Sequence, residues 1–142
     1  MGPPLRIEAT ASIDWVKNLM TGVTTTLSGD GLGYVDMHST AVAHLRAITV
    51  PEAANRRFIL VKESHSWHDF ACPIIDHFNV RGWNIAPEMQ PLQEGRFIPL
   101  FDNRASREVL GIEYRELTTT MVEMAEAMIA SGAVVKPEPV AQ

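Results

Sequence analysis

The chain has 142 residues, enough for one ordinary domain with a sizeable core, and its 46% hydrophobic and 20% charged composition excludes a disordered protein. A net charge of -5, with Lys and Arg adjacent only at Arg56-Arg57, leaves no basic face for a nucleic-acid backbone. The single cysteine, Cys72, excludes an internal disulfide and fits a reducing, cytoplasmic setting. No apolar run approaches the roughly 18 residues of a membrane span, so no membrane partner is expected. Met1-Gly2-Pro3-Pro4 carries neither the apolar stretch of a secretory signal nor the pattern for myristoylation.

In chain order, Gly2-Pro3-Pro4-Leu5 reads as a rigid extended opening, because proline fixes its own φ and drives its predecessor out of the helical region. A helix is expected from Ser12, with Asp14 in its first turn, Trp15, Val16, Leu19 and Met20 apolar, and Gly22 as its stop. Residues 23–33 read as a Thr- and Gly-rich loop. Within it, Gly29-Asp30-Gly31-Leu32-Gly33 reads as a turn; it precedes a strand rather than following one, the wrong context for a phosphate loop. A strand is expected over residues 34–37, followed by a helix whose start is marked by Ser39 or Thr40. Three-to-four spacing puts Ala41, His44 or Leu45, and Ile48 on its buried face, and Pro51 closes it.

Residues 57–61, Arg-Phe-Ile-Leu-Val, form a continuous apolar run of strand length, as expected of a strand covered on both faces. Ser66 followed by Asp69 three residues on reads as a helix start, with Phe70, Ile74, Ile75 and Phe78 buried and Pro73 expected to kink the helix. Residues 79–100 are broken by Pro87, Pro91 and Pro99 and read as irregular; a loop of this length is often functional, and Trp83 is the residue expected to line a ligand pocket. Asp102-Asn103 should cap a helix over residues 104–110, stopped by Gly111. The last helix is expected from Thr119 or Thr120, with Met121, Val122, Met124, Ala125, Met128 and Ile129 toward the core and Gly132 as its end. Residues 1–136 then form the ordered unit and 137–142 a flexible tail. The alternation of elements argues for an α/β fold with few short strands and about five helices, and strands this short are expected to join a larger sheet.

Helical spacing would put His68 and Cys72 on one face, but His65 falls before the cap and Pro73 disturbs the turn, so no metal site is expected. His44 reads as a packing residue, Cys72 as a buried inert thiol, and Trp15 and Trp67 as hydrophobic anchors. No Gly-x-Ser-x-Gly elbow occurs, so a serine hydrolase is not supported.

Several landmarks then line up in order. Gly2-Pro3-Pro4-Leu5, Tyr34-Val35-Asp36-Met37, Ala43-His44-Leu45-Arg46-Ala47, Arg57-Phe58-Ile59-Leu60, Ser66-Trp67-His68-Asp69, and Asp102-Asn103 through Leu110-Gly111-Ile112 each resemble a segment of the extended short-chain dehydrogenases/reductases. The resemblance is to the C-terminal, substrate-side part of this NAD-dependent epimerase/dehydratase family, in the branch of cinnamoyl-CoA reductases, dihydroflavonol reductases and yeast-type aldehyde/ketone reductases. It implies the C-terminal portion of a Rossmann-type fold with the nucleotide-binding half missing. It places Gly2 and Pro3 at the cofactor, and Pro4, Leu5, Tyr34, Val35, His38 and Trp83 at the substrate.

The departures matter as much. Where the family carries an Arg-Asp pair after the strand, this chain has His38 and Ser39. The family's glycine fingerprint, which holds a dinucleotide pyrophosphate on helix-start amides, does not occur. Nor does its Tyr-x-x-x-Lys pair: the two tyrosines, Tyr34 and Tyr114, are followed four residues on by His38 and Thr118. No catalytic residue is therefore assigned. The resemblance implies NADP and a small carbonyl substrate for a complete homologue, with no tight cofactor binding by this chain alone. A homo-oligomer or a full-length reductase partner is the expected association. A truncated, reductase-like protein is the leading expectation, and a non-catalytic module that docks on a reductase or holds a small apolar ligand is the other.

Overall fold

A computed structural model describes residues 1–4, 10–90 and 97–137. Helix α1 (Ala11–Met20) precedes β1 (Thr26–Leu27) and β2 (Gly31–Tyr34), and then α2 (Met37–Thr49). Next come β3 (Glu63–Ser66), α3 (Trp67–Asn79), β4 (Glu88–Met89), α4 (Arg104–Glu108) and α5 (Leu117–Ala130). The α/β class with five helices and few short strands matches expectation among the described residues. The strands form two pairs. β2 runs antiparallel to β3, with Gly31 opposite Ser66 and Tyr34 opposite Glu63, and β1 runs parallel to β4.

Most of the core lies between α1, α3 and α5. Val16 and Leu19 from α1 meet Phe70, Ile74 and Phe78 from α3 and Met121, Met124 and Met128 from α5. The methionines of α5 are thus packing residues, as expected. A second, smaller cluster joins Ala43 of α2 to Ala53, Leu110, Ile112 and Tyr114, with Phe58 and Leu60 against it.

Helix starts follow capping chemistry, with some shifts from the expected positions. Thr10, not Ser12, caps α1 by accepting the Ile13 amide at 3.4 Å. α3 carries the expected capping box: Ser66 Oγ accepts the Asp69 amide at 3.2 Å, and Asp69 Oδ2 accepts the Ser66 amide at 2.9 Å. Ser66→Ala should therefore lower stability by about 1 kcal/mol, read as a lower midpoint in urea with an unchanged slope. α3 continues through Pro73, and Ile75 is only partly buried. α4 ends at Glu108, short of Leu110, and α5 begins at Leu117, ahead of both threonines.

Other expectations are corrected as well. The strand over residues 34–37 ends at Tyr34, because Asp36 caps α2 and Met37 is already helical. The buried face of α2 is Ser39 and Ala43, while Ala41, His44, Leu45 and Ile48 face outward. Small side chains are needed there for close approach to residues 110–114: Ser39 Oγ donates to Glu113 O at 3.5 Å. His44 instead keeps its Nδ1 within 2.8 Å of Thr40 O on the exposed side.

The glycine run bends at Gly29, as a turn would, but from Gly31 on it is strand. A Cβ at Gly31 would lie 1.9 Å from His65 O, and one at Gly33 would lie 2.5 Å from the Phe101 ring, so both glycines permit close packing. Residues 57–61 are not paired into any sheet among the described residues, because no strand lies beside them. Cys72 is exposed rather than buried; partial desolvation, with Asp76 and Asp69 nearby, raises its pKa and keeps it a thiol. The irregular region holds β4, and its residues 91–96 lie outside the described set, as do 138–142 of the expected tail.

Candidate functional site

The opening residues are laid along the start of α2. Met1 nitrogen donates to Val35 O at 2.8 Å, and the Met37 amide returns a bond to Met1 O at 2.7 Å. Gly2 is held over the helix start, with φ at +139° and room for only a tight Cβ, 3.2 Å from Met37 Cβ. Its N–H points at Met124 Sδ, 3.5 Å away. The result is a cleft of about 310 Å³ lined by Gly2, Pro3, Asp36, Met37, His38, Ala41, Arg115 and Thr120. That volume suits a small molecule.

Asp36 is the one buried carboxylate of this cleft, 2% exposed. Its Oδ1 accepts the Ser39 amide at 2.9 Å, and its Oδ2 is buried with no hydrogen-bond partner among the described residues. Burial would raise its pKa, but the Ser39 hydroxyl and amide, with the Arg115 and His38 amides facing the carboxylate, outweigh it and hold the group ionised below the usual Asp range. Asp69 is held low in the same way, burial being outweighed by its bonds to Ser66 and by nearby His65 and His68. Depressed native pKa values stabilise the fold above the unfolded value of 3.8 and lose that stabilisation as pH falls through the lower native values. Urea midpoints should therefore stay level from pH 7 to about 5 and drop below about 4, and Asp36→Asn should flatten that drop.

Around the cleft, Thr120 Oγ1 donates to Glu116 O at 2.9 Å, and Arg115 donates to Glu123 Oε1 at 2.6 Å. His38 is exposed and also borders a wider depression of about 750 Å³ with Val42, Arg46, Gly111, Glu113 and Arg115.

Of the residues expected at the cofactor and substrate, the fold brings Gly2, Pro3 and His38 to this cleft. Pro4 is half-buried beside them in sequence, and Leu5 lies outside the described residues. Tyr34 points into the main core: its ring lies edge-on to Phe70 at 5.9 Å, and its hydroxyl donates to Arg115 O at 3.2 Å. Burial, then the carboxylates of Glu63, Glu116 and Asp36, push its pKa up, so it has no tendency to ionise at neutral pH. Val35 packs on the smaller cluster. Trp83 stands edge-on to Phe78 at 5.6 Å, as a wall of the main core rather than of the cleft.

Sequence reasoning missed Arg115 and Thr120 as cleft residues, and in the Tyr34–His38 loop expected at the substrate it did not single out Asp36. Asp36 had a readable signal, a carboxylate three residues ahead of the buried Ser39 at a helix start. Arg115 and Thr120 had none, since they arrive from far along the chain.

A larger open groove of about 780 Å³ lies along α3 and the start of α5, with His65, Asp69, Cys72 and His77 on its wall. No three His, Cys, Asp or Glu side chains are placed to hold a metal among the described residues. His68 Nε2 lies 3.0 Å from Leu27 O and is held there, away from Cys72 chemistry.

No family model matches the chain. It is 33% identical over 98 residues to the ketoreductase azaE of Aspergillus niger, a match covering 68% of this chain and 28% of that protein. In structure it resembles yeast methylglyoxal/isovaleraldehyde reductase Gre2, solved with NADPH, at a TM-score of 0.70 and 23% identity over 93% of this chain and 44% of that one. It also resembles the UDP-glucose 4-epimerase of Thermotoga maritima, solved with UDP-glucose, at a TM-score of 0.69 and 16% identity over 92% of this chain and 43% of that one. The chain thus spans less than half the length of each of these proteins. Its fold is α/β and corresponds to part of the Rossmann-type fold of these solved structures.

Proposed function

We propose that this chain is the substrate-side portion of an extended short-chain reductase, of the branch that includes cinnamoyl-CoA and dihydroflavonol reductases. The observation that carries the reading is the cleft itself. It unites the Gly2-Pro3 segment, which the resemblance assigns to the cofactor, with Asp36 and with His38, which it assigns to the substrate, two stretches far apart in sequence. In a complete protein of this kind the reaction is reduction of an aldehyde, ketone or CoA thioester by NADPH. The similarity to a ketoreductase and to an NADPH-bound aldehyde reductase supports that class.

Among the described residues, the glycine-rich stretch does not build a dinucleotide site. The space above the backbone of Gly31 and Gly33, where a pyrophosphate would need to approach, is filled by His65 O and the Phe101 ring. Tyr34 has no lysine partner, and its hydroxyl is engaged with Arg115 O. What the chain's own residues can do is bind and orient. Pro3, Met37 and Ala41 offer apolar contact to a ligand, and the Asp36 carboxylate, whose Oδ2 has no partner among the described residues, favours one with a hydrogen-bond donor.

NADPH oxidation should stay at background when the 142-residue chain is mixed with aromatic or aliphatic aldehydes. Turnover by the pure chain would overturn the reading. A second reading, a non-catalytic module that holds a small apolar ligand or docks on an intact reductase, is favoured by a formed cleft in a sequence without a Tyr-x-x-x-Lys pair. Amide shifts at Gly2, His38 and Ala41 on titration with an unreactive alcohol, in a chain whose pull-down returns an intact reductase, would favour that second reading. A cytoplasmic setting remains part of the proposal, resting on the lone Cys72; no helix among the described residues is long and apolar enough to cross a membrane.

A further inference from the structure

Asp36 carries a negative charge that the described residues do not neutralise. It is the one buried acidic side chain among them, and it makes no ion pair there. Exposed carboxylates do have partners: Asp102 is paired with Arg104, and Glu123 with Arg115. Asp36 is instead kept ionised by neutral donors, the Ser39 hydroxyl and amide first among them. Two cationic groups lie close enough to feel its charge, and both are engaged elsewhere. The Arg115 guanidinium donates to Glu123 Oε1 at 2.6 Å, and the Met1 nitrogen donates to Val35 O at 2.8 Å. A buried charge without a counter-charge is costly, and in the wall of a small-molecule cleft a ligand can supply the missing one.

The other polar atom of the inner wall asks for the same kind of partner. Thr120 is 1% exposed and spends its hydroxyl proton on Glu116 O at 2.9 Å, which leaves its oxygen only as an acceptor. An ionised carboxylate is likewise an acceptor only. Donors must therefore come with the ligand, and an ammonium carries three. Pro3, Met37 and Ala41 give the ligand's body apolar contact, and a volume of about 310 Å³ suits a compact monoamine rather than a long polyamine.

We propose that this cleft selects a small ammonium-bearing ligand, its cation held by Asp36 Oδ2 and Thr120 Oγ1 and its apolar body lying against Pro3, Met37 and Ala41. The proposal rests on the substrate-side reading above and narrows the carbonyl substrate to an amino ketone or amino aldehyde. Asp36 is then the specificity-determining residue. A neutral molecule of the same shape leaves its charge unpaired, whereas a cation pairs it. The net charge of -5 on the chain also favours approach of a cation.

The test titrates the 142-residue chain with 2-phenylethylamine, which is protonated at neutral pH, and with 2-phenylethanol, its neutral isostere, while backbone amide shifts are followed. The expected result is saturable shifts at Gly2, His38 and Ala41, with the amine bound at least about tenfold more tightly than the alcohol. Asp36→Asn keeps the shape and removes the charge. It should bring the amine down to the affinity of the alcohol and leave the alcohol unchanged. If that variant does not fold, the comparison of the two ligands on the unaltered chain still decides.

Equal affinities for amine and alcohol would overturn the proposal, as would an amine affinity that Asp36→Asn leaves intact. Amine shifts confined to the groove of Asp69 and Asp76, with none at Gly2, His38 and Ala41, would overturn it too. The two readings fail separately. Equal binding of both ligands in the cleft removes the amine preference and leaves the substrate-side reading standing. Oxidation of NADPH by the pure chain would sink that reading and leave a measured preference for the amine untouched.

Discussion

Gly31→Ala should cost about 3 kcal/mol or more and leave little folded protein at 37 °C. The added Cβ would stand 1.9 Å from His65 O, 2.6 Å from the His65 carbonyl carbon and 2.8 Å from Ser66 Cα. All three are backbone atoms, so no side chain can rotate away. Relief requires β2 and β3 to part at the end where Gly31 faces Ser66, which also disturbs the capping box that starts α3. Gly22→Ala is the control. It adds a Cβ with nothing within 4 Å, but at φ of +76°, so it should cost only about 1 kcal/mol of backbone strain. Urea midpoints of the two variants check the contrast; equal losses would mean that glycine matters at position 31 only for its backbone freedom.

Phe70→Ala is expected to cost about 4 kcal/mol, by lost burial and the cavity left behind. Phe70 is fully buried, and four rings surround it: Trp67 at 5.8 Å, Tyr34 at 5.9 Å, His65 at 6.0 Å and Trp15 at 6.4 Å. These rings come from α1, the β2–β3 pair and α3, so the one side chain ties three elements together. Trp15 and Trp67 lie 5.1 Å apart, and their near-ultraviolet circular dichroism should collapse with the variant. The cleft should suffer as well, because Tyr34 on β2 leads within two residues to Asp36. A small loss with unchanged tryptophan signals would show that the rings hold one another without Phe70.

Both variants probe features of different legibility. The Ser66-Asp69 box, the α3 face and the methionines of α5 could be read locally, because caps and helical spacing are short-range physics. The glycine run could not. Its residues read as a turn in isolation, and only the approach of His65 and Phe101 shows why side chains are excluded there. The same holds for α2, where Leu45 and Ile48 fit a buried stripe by spacing but the surface to cover them is absent from the described chain. Residues 57–61 show the rule from the other side: the apolar run encodes a strand, and a strand exists only when another backbone supplies its hydrogen bonds.

The sequence by itself determined the α/β class, the positions of most helices, and the lack of a glycine fingerprint and a Tyr-x-x-x-Lys pair, since these depend on residue types at short fixed spacings. Tertiary structure alone decided that Tyr34, Val35 and Trp83 are packing residues away from the cleft, and that Asp36, Arg115 and Thr120 join Gly2, Pro3 and His38 around it. Those contacts join residues up to about 120 positions apart, as in the Gly2 to Met124 bond with a separation of 122. Which of several apolar or polar side chains meets which is set by packing of whole elements, and no local pattern contains that choice.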